Sequence, residues 1–229
     1  MSFEIEKKFV VGCFSQTLND LSNDFGAFKH SVKNGFWWCN NHSASDNVLD
    51  ISAPKFFKKD IYAIKDITEA LIPEEDFQYI RLRIIDGAQF FMTFKIKSLV
   101  NNVEKNSEHE FELEKDTFSR VIQYLKDIAQ IFYYNVKETW EFNSSDVKIE
   151  LSKISDLKEA YLEVEVTGDN DEKLTDSLNK KLISFEKYNI KEEPKSYLEL
   201  FLRENNIALK NQKLSQYSKK AFTILSEYI

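Results

Sequence analysis

The stretch Phe3-Glu4-Ile5-Glu6-Lys7-Lys8-Phe9 decides how the rest of the chain is read. With a period of two it places Glu4, Glu6 and Lys8 on one face of a strand and Phe3, Ile5 and Phe9 on the other. Taken alone, the charged face is an ordinary solvated surface. The same arrangement returns along the chain. Arg81 and Arg83 share a face in 77–85, and Lys95 and Lys97 do so in 89–97. Glu108, Glu110, Glu112 and Glu114 alternate with His109, Phe111 and Leu113, and Glu163 and Glu165 oppose Leu162, Val164 and Val166. In 147–151, Lys148 and Glu150 face away from Val147, Ile149 and Leu151.

Most of these charged faces carry one sign. Like charges on one face of a sheet repel and oppose strand pairing unless something neutralises them. Carboxylate clusters suit hard divalent cations. Arginine and lysine clusters suit phosphate oxygens, with arginine giving two-point contacts. Strands that turn their ionic faces inward and their apolar faces outward, beneath helices, account for both halves of the pattern.

Between these strands, 15–28 reads as a short helix, 35–39 as a short strand, 40–60 as a polar loop or insertion, and 64–72 as a weak helical turn or two. Asp86-Gly87 is a hairpin turn signal, and 98–107 is expected to be a polar loop. The clearest helix is 116–131, with Phe118, Val121, Ile122 and Leu125 at helical spacing. A strand over 133–142 carries Lys137, and three helices are expected at 171–186, 194–204 and about 213–228. Strand hairpins with interspersed helices predict an α+β fold with an antiparallel sheet.

The 229 residues are enough for a sizeable core, and 42% apolar with 30% charged residues is globular composition. Five glycines leave no Gly-rich phosphate loop, and a net charge of −7 argues against duplex nucleic acid held on a basic surface. His30, His42 and His109 lack the spacing of a Cys/His zinc site. No apolar run approaches the ~20 residues of a membrane span. Cys13 and Cys39, without a leader sequence, read as reduced thiols of a cytoplasmic protein.

The opening segment resembles the E-x-E-x-K signature of the CYTH, or triphosphate tunnel metalloenzyme, superfamily. The later strands follow in a matching order. Arg81/Arg83 resemble its R-x-R strand, Thr93-Phe94-Lys95 its T-x-K strand, and Glu108-His109-Glu110 and Glu163-Val164-Glu165 its E-x-E strands. Lys137 falls on its K-x-R strand, Glu150 stands where an Asp is usual, and Ser196-Tyr197-Leu198 resembles a late S-Y-L segment. Two positions depart from the pattern: the K-x-R strand reads Lys137-Glu138-Thr139, without its second cation (with Lys137 in the place of the Arg, Asn135 stands for the Lys and one cation is again lost), and Glu150 is longer than Asp.

The resemblance implies a closed antiparallel eight-stranded β-barrel with a polar ionic interior and helices packed outside. It covers 1–203, with 40–76 as an insertion or lid and 204–229 as a helical extension on the same domain. It implies hydrolysis of the terminal phosphate of inorganic tripolyphosphate, thiamine triphosphate or a nucleoside triphosphate, with Mg²⁺ or Mn²⁺ as cofactor. Glu4, Glu6, Glu150, Glu163 and Glu165 would hold metal. Lys8, Arg81, Arg83, Lys95 and Lys137 would bind the substrate, and Glu4, Glu6, Lys8 and Glu110 would form the catalytic set. The implied partner is a small-molecule triphosphate, met by a monomer or homodimer without a membrane. Nucleic acid enters only under an alternative, RNA 5′-triphosphatase; the others are a class IV-type adenylate cyclase and a non-catalytic triphosphate or polyphosphate binder.

Overall fold

In the computed structural model the described residues are 3–40, 56, 58–69, 79–100, 103–144, 147–168, 171–205 and 211–229. The elements run β1 (Phe3–Val11), α1 (Phe14–Phe25), β2 (Lys29–Asn40), α2 (Lys58–Thr68), β3 (Tyr79–Ile85), β4 (Gln89–Val100), β5 (Val103–Leu113) and α3 (Lys115–Ile128). They continue with β6 (Ala129–Asn143), β7 (Lys148–Ile154), β8 (Ala160–Gly168), α4 (Asp171–Leu182), a 3₁₀ turn (Ile183–Tyr188), β9 (Ile190–Glu192), α5 (Tyr197–Asn205) and α6 (Asn211–Leu225).

The fold is α+β, and the pairs β1–β8, β1–β9, β3–β4, β4–β5, β6–β7 and β7–β8 are antiparallel. The hydrogen-bonded order is β5-β4-β3-β2-β6-β7-β8-β1-β9. This corrects the expectation of eight strands in a closed ring. Among the described residues there are nine, and their order has two ends. The added strand, β9, takes up the edge of β1 at Phe9–Val11.

The chain divides into two compact units, one of residues 1–33 and 136–206, the other of 34–135 and 207–229. In the first, alternation sends Phe9, Val11, Ile149, Leu151, Leu162, Val164 and Val166 into a core shared with Leu21 of α1 and Leu174 and Leu178 of α4. In the second, Ile80, Leu82, Ile84, Phe90, Met92 and Phe94 pack with Phe118, Val121, Ile122 and Leu125 of α3 and with Ala221 and Leu225 of α6. In each unit the apolar strand face is buried and the ionic residues are left on the other face. The β3–β4 hairpin turns at Asp86 and Gly87, both at positive φ (52° and 71°), the geometry an Asp-Gly pair tolerates.

Several boundaries differ from the sequence reading. Strand β2 begins at Lys29 rather than 35, because its polar first half hydrogen-bonds as a strand without an apolar alternation to announce it. Strands β4 and β5 extend through most of the segment expected to be a loop, pairing as far as Val100 with Val103. The turn or two expected at 64–72 is a helix at Lys58–Thr68. Of the expected insertion at 40–76, residues 41–55, 57 and 70–76 lie outside the described residues.

Candidate functional site

In the unit of residues 1–33 and 136–206, register builds an ionic face from four strands. Glu141 of β6 faces Glu150 of β7, which faces Glu163 of β8, which faces Lys8 of β1. The adjacent row is Asn143, Lys148, Glu165 and Glu6. Glu150 and Glu163 are thus direct cross-strand neighbours, an unfavourable pair of like charges unless cations lie between them.

Lysines supply those cations. Lys137 Nζ donates to Glu150 Oε2 at 2.7 Å and also to Glu163. Lys33 Nζ, from β2, donates to Glu150 Oε1 at 2.8 Å, and Lys148 Nζ lies 3.2 Å from the same oxygen and 3.4 Å from Glu165 Oε2. Burial opposes ionisation of Glu150, but Lys137, Lys33 and Lys148 together hold its carboxyl well below the usual range. Burial likewise opposes charge on Lys137, yet Glu150 and Glu163 outweigh it and its pKa is raised. The same balance, with Glu150 and Glu165, raises Lys148. Lys33 and Lys8 go the other way. Burial lowers both, and the neighbouring carboxylates offset it only in part.

Lys8 donates to the Lys195 backbone carbonyl and lies 4.4 Å from the centroid of the Tyr197 ring, a cation–π contact. The Tyr197 hydroxyl is enclosed beside Glu163 without a bond of hydrogen-bonding geometry. Burial and the Glu163 charge push its pKa well above the ordinary value. Lys7 points to the opposite side of β1 and pairs with Glu192 of β9 at 3.3 Å.

In the unit of residues 34–135 and 207–229, β3, β4 and β5 align Arg81, Thr93 and Glu110 across the sheet. Arg83 Nη2 donates to Glu110 Oε2 at 2.5 Å, and Thr93 Oγ1 donates to the same oxygen at 2.8 Å. Arg81 Nη2 reaches Thr93 Oγ1 at 3.3 Å and Glu110 Oε2 at 3.5 Å. One carboxylate therefore orients two guanidiniums, directly and through a hydroxyl. The guanidinium of Arg83 is also 5.7 Å from the Phe91 ring centroid.

Of the residues singled out from the sequence, Glu6, Lys8, Lys137, Glu150, Glu163 and Glu165 share the face in the first unit. Arg81, Arg83 and Glu110 form the cluster in the second. The side chains of Glu4, Lys95, Lys97 and Glu108 lie outside the described residues; their backbones pair Glu4 with Thr167 and Lys95 with Glu108. His109 is half-buried, and Trp38 is in the core. Lys33 was missed by the sequence reading. It sits in the polar half of β2, and only its hydrogen bond to Glu150 of β7 marks it.

The carboxylates match a hard divalent cation in donor type. Their surroundings divide them. Glu6 and Glu165 are direct neighbours across β1 and β8, an arrangement that fits a cation. Glu150 does not fit as a ligand, because lysine ammoniums already occupy both of its oxygens. Among the described residues no group of three or more His, Cys, Asp or Glu side chains is placed to hold a metal ion.

A family model for the CYTH domain matches residues 70–197. That is more than half of the sequence, and the chain belongs to the CYTH domain family. The match begins after the E-x-E-x-K segment at the front of the chain. Solved structures agree on the fold. A conserved hypothetical protein from Pyrococcus furiosus superposes with a TM-score of 0.58 at 20% identity, over 86% of this chain and 99% of that one. A Pyrococcus horikoshii OT3 protein gives 0.61 at 17% identity, over 88% and 99%. A Vibrio parahaemolyticus protein described as a candidate adenylate cyclase gives 0.57 at 12% identity, over 86% and 97%. At these identities the likeness is one of fold. No curated protein matches the chain. Among the described residues no helix is long and apolar enough to cross a membrane.

Proposed function

We propose that this CYTH-domain protein is a divalent-metal-dependent hydrolase that removes the terminal phosphate of a small-molecule triphosphate: inorganic tripolyphosphate, thiamine triphosphate or a nucleoside triphosphate. The observation that carries the reading is the pairing of Arg81 and Arg83 with a single orienting carboxylate, Glu110. Guanidiniums held in a fixed orientation recognise phosphate oxygens at two points. The same reading gives Lys8, Lys95 and Lys137 to phosphate binding, and Glu4, Glu6, Glu163 and Glu165 to the cation.

Bound Mg²⁺ or Mn²⁺ would supply charge neutralisation at the transferred phosphoryl group and a more acidic water. The chain's own part is to position and to stabilise charge. Glu110 keeps Arg81 and Arg83 aimed. Lys137 keeps Glu150 and Glu163 compatible on adjacent strands. Lys8, whose charge burial disfavours, gains from an anion brought against it. Replacing Glu4 or Glu6 by Gln abolishes metal-dependent phosphate release, and near-normal activity in both variants overturns the assignment. The protein is proposed to act in the cytoplasm, as a monomer or homodimer.

A second reading, a triphosphate or polyphosphate binder without turnover, draws on Thr139. It is completely buried, its hydroxyl 3.4 Å from that of Ser152, where the K-x-R pattern has a cation. Binding of tripolyphosphate without hydrolysis under Mg²⁺ and Mn²⁺ selects it. Formation of cyclic AMP from ATP selects a cyclase, the activity named for the Vibrio neighbour. Hydrolysis confined to 5′-triphosphate RNA selects an RNA triphosphatase.

A further inference from the structure

Glu150 stands where the family resemblance implies a metal-ligating acid, yet it is buried among lysines. Its side chain is 10% exposed, and those of Lys33 and Lys137 are 12% and 17% exposed. A carboxylate offers about four lone-pair sites on two oxygens. Here Lys33 and Lys148 take one oxygen and Lys137 the other. The surroundings are those of an anchor for cations rather than of a metal ligand.

The three lysines are not equivalent. Lys137 has a second carboxylate in Glu163, and Lys148 has one in Glu165. Among the described residues Lys33 is paired with Glu150 alone. An ammonium carries three donors, so Lys33 keeps capacity for a further acceptor. Its charge is also the least compensated, since burial and the nearby Lys137 and Lys148 ammoniums all disfavour it. An anion gains most beside a buried cation whose neutralisation is incomplete.

The position of Lys33 in the sheet adds an independent argument. Strand β2 is the neighbour of β6, the strand on which the second cation of K-x-R is replaced by Thr139. Thr139 is fully enclosed, and its Cα partner is Ser152, so no cation can be carried there without displacing the packing. The ammonium absent from β6 has a counterpart one strand away.

We propose that Lys33 is a phosphate-contact residue, supplying from β2 the cation that β6 lacks at Thr139, and that Glu150 is the positioning residue that holds it in place. This rests on the triphosphate reading above. Glu150 then binds no metal, and its charge serves to keep Lys33, Lys137 and Lys148 together until phosphate oxygens share them.

The test is amine acetylation of the whole chain with acetic anhydride, with and without inorganic tripolyphosphate, in EDTA and in Mg²⁺, read peptide by peptide by mass spectrometry. Calorimetric binding of tripolyphosphate to wild type, Lys33→Met and Lys33→Arg accompanies it. The expected result is protection of Lys33 in the wild type. Lys33→Met weakens binding about tenfold or more, the loss of one charge-assisted hydrogen bond, and Lys33→Arg retains binding. In Glu150→Gln, protection of Lys33 is lost while that of Lys8 persists, a split that general loosening of the structure would not produce. If tripolyphosphate protects Lys8 but leaves Lys33 reactive, and Lys33→Met binds as wild type does, this inference falls and the triphosphate reading stands. If no lysine is protected and no binding is seen in either condition, both fall. The wild-type labelling needs no variant to fold.

Discussion

Replacing Glu150 by Gln removes the one charge on which Lys33, Lys137 and Lys148 converge. Deleting one partner of a buried ion pair leaves its counterpart uncompensated and costs about 3–5 kcal/mol. The Gln carbonyl can still accept from one lysine, and Lys137 and Lys148 keep Glu163 and Glu165, so the expected loss is near the lower figure, about 3 kcal/mol. In a chain of this size that lowers the melting temperature by roughly 6–12 °C. The pH dependence identifies the cause. The pKa of Glu150 lies well below its ordinary 4.5 in the folded state, so its contribution is fully present above about pH 4.5 and is lost as pH falls toward the folded value. Urea unfolding of wild type and Glu150→Gln should give a constant gap between pH 5 and 8. Below pH 4.5 the gap should close by about 1.4 kcal/mol per pH unit. A gap under about 1 kcal/mol at pH 7, or one that persists unchanged to pH 3, refutes the ionic account of Glu150.

Lys137→Met leaves Glu150 and Glu163 as adjacent carboxylates on β7 and β8 and should destabilise the chain by about 3 kcal/mol in urea at pH 7; a loss within about 0.5 kcal/mol means the pair is neutralised in another way. Glu110→Gln releases Arg81 and Arg83 from their shared acceptor and should raise the KM for tripolyphosphate roughly tenfold with a smaller effect on kcat; steady-state kinetics with unchanged KM contradicts it. Lys33→Met should weaken tripolyphosphate binding about tenfold in calorimetry while Lys33→Arg preserves it.

The hairpin of β3 and β4 was legible because each residue choice agrees. Ile80, Leu82 and Ile84 alternate with Arg81 and Arg83, and Asp86-Gly87 marks the turn. The same holds for α3, whose four apolar positions at helical spacing are all buried. Local pattern fails where pairing alone makes the strand. The first residues of β2, Lys29-His30-Ser31-Val32-Lys33-Asn34, have no apolar alternation, and their strand character comes from neighbours distant in sequence. Strand β9 is three residues long and owes its existence to the edge of β1. The ends of β4 and β5, Ser98–Val100 and Val103–Lys105, have no apolar alternation and pair with each other.

The ionic site divides along the same line. Glu6, Lys8, Arg81, Arg83, Glu110, Glu163 and Glu165 lie in strands with strong alternation and could be named in advance. Lys33 could not, because its meaning depends on a carboxylate 117 positions away. Glu150 could be named but not understood. A sequence gives its place in a motif, whereas its role follows from which charges surround it.

The most direct test of the functional account is phosphate release by the wild type and by Glu6→Gln from tripolyphosphate, thiamine triphosphate, ATP and triphosphorylated RNA, each with Mg²⁺ and with Mn²⁺. The account predicts metal-dependent release from at least one of the small-molecule triphosphates, abolished in Glu6→Gln. No release from any of them under either metal, or undiminished release by Glu6→Gln, contradicts it.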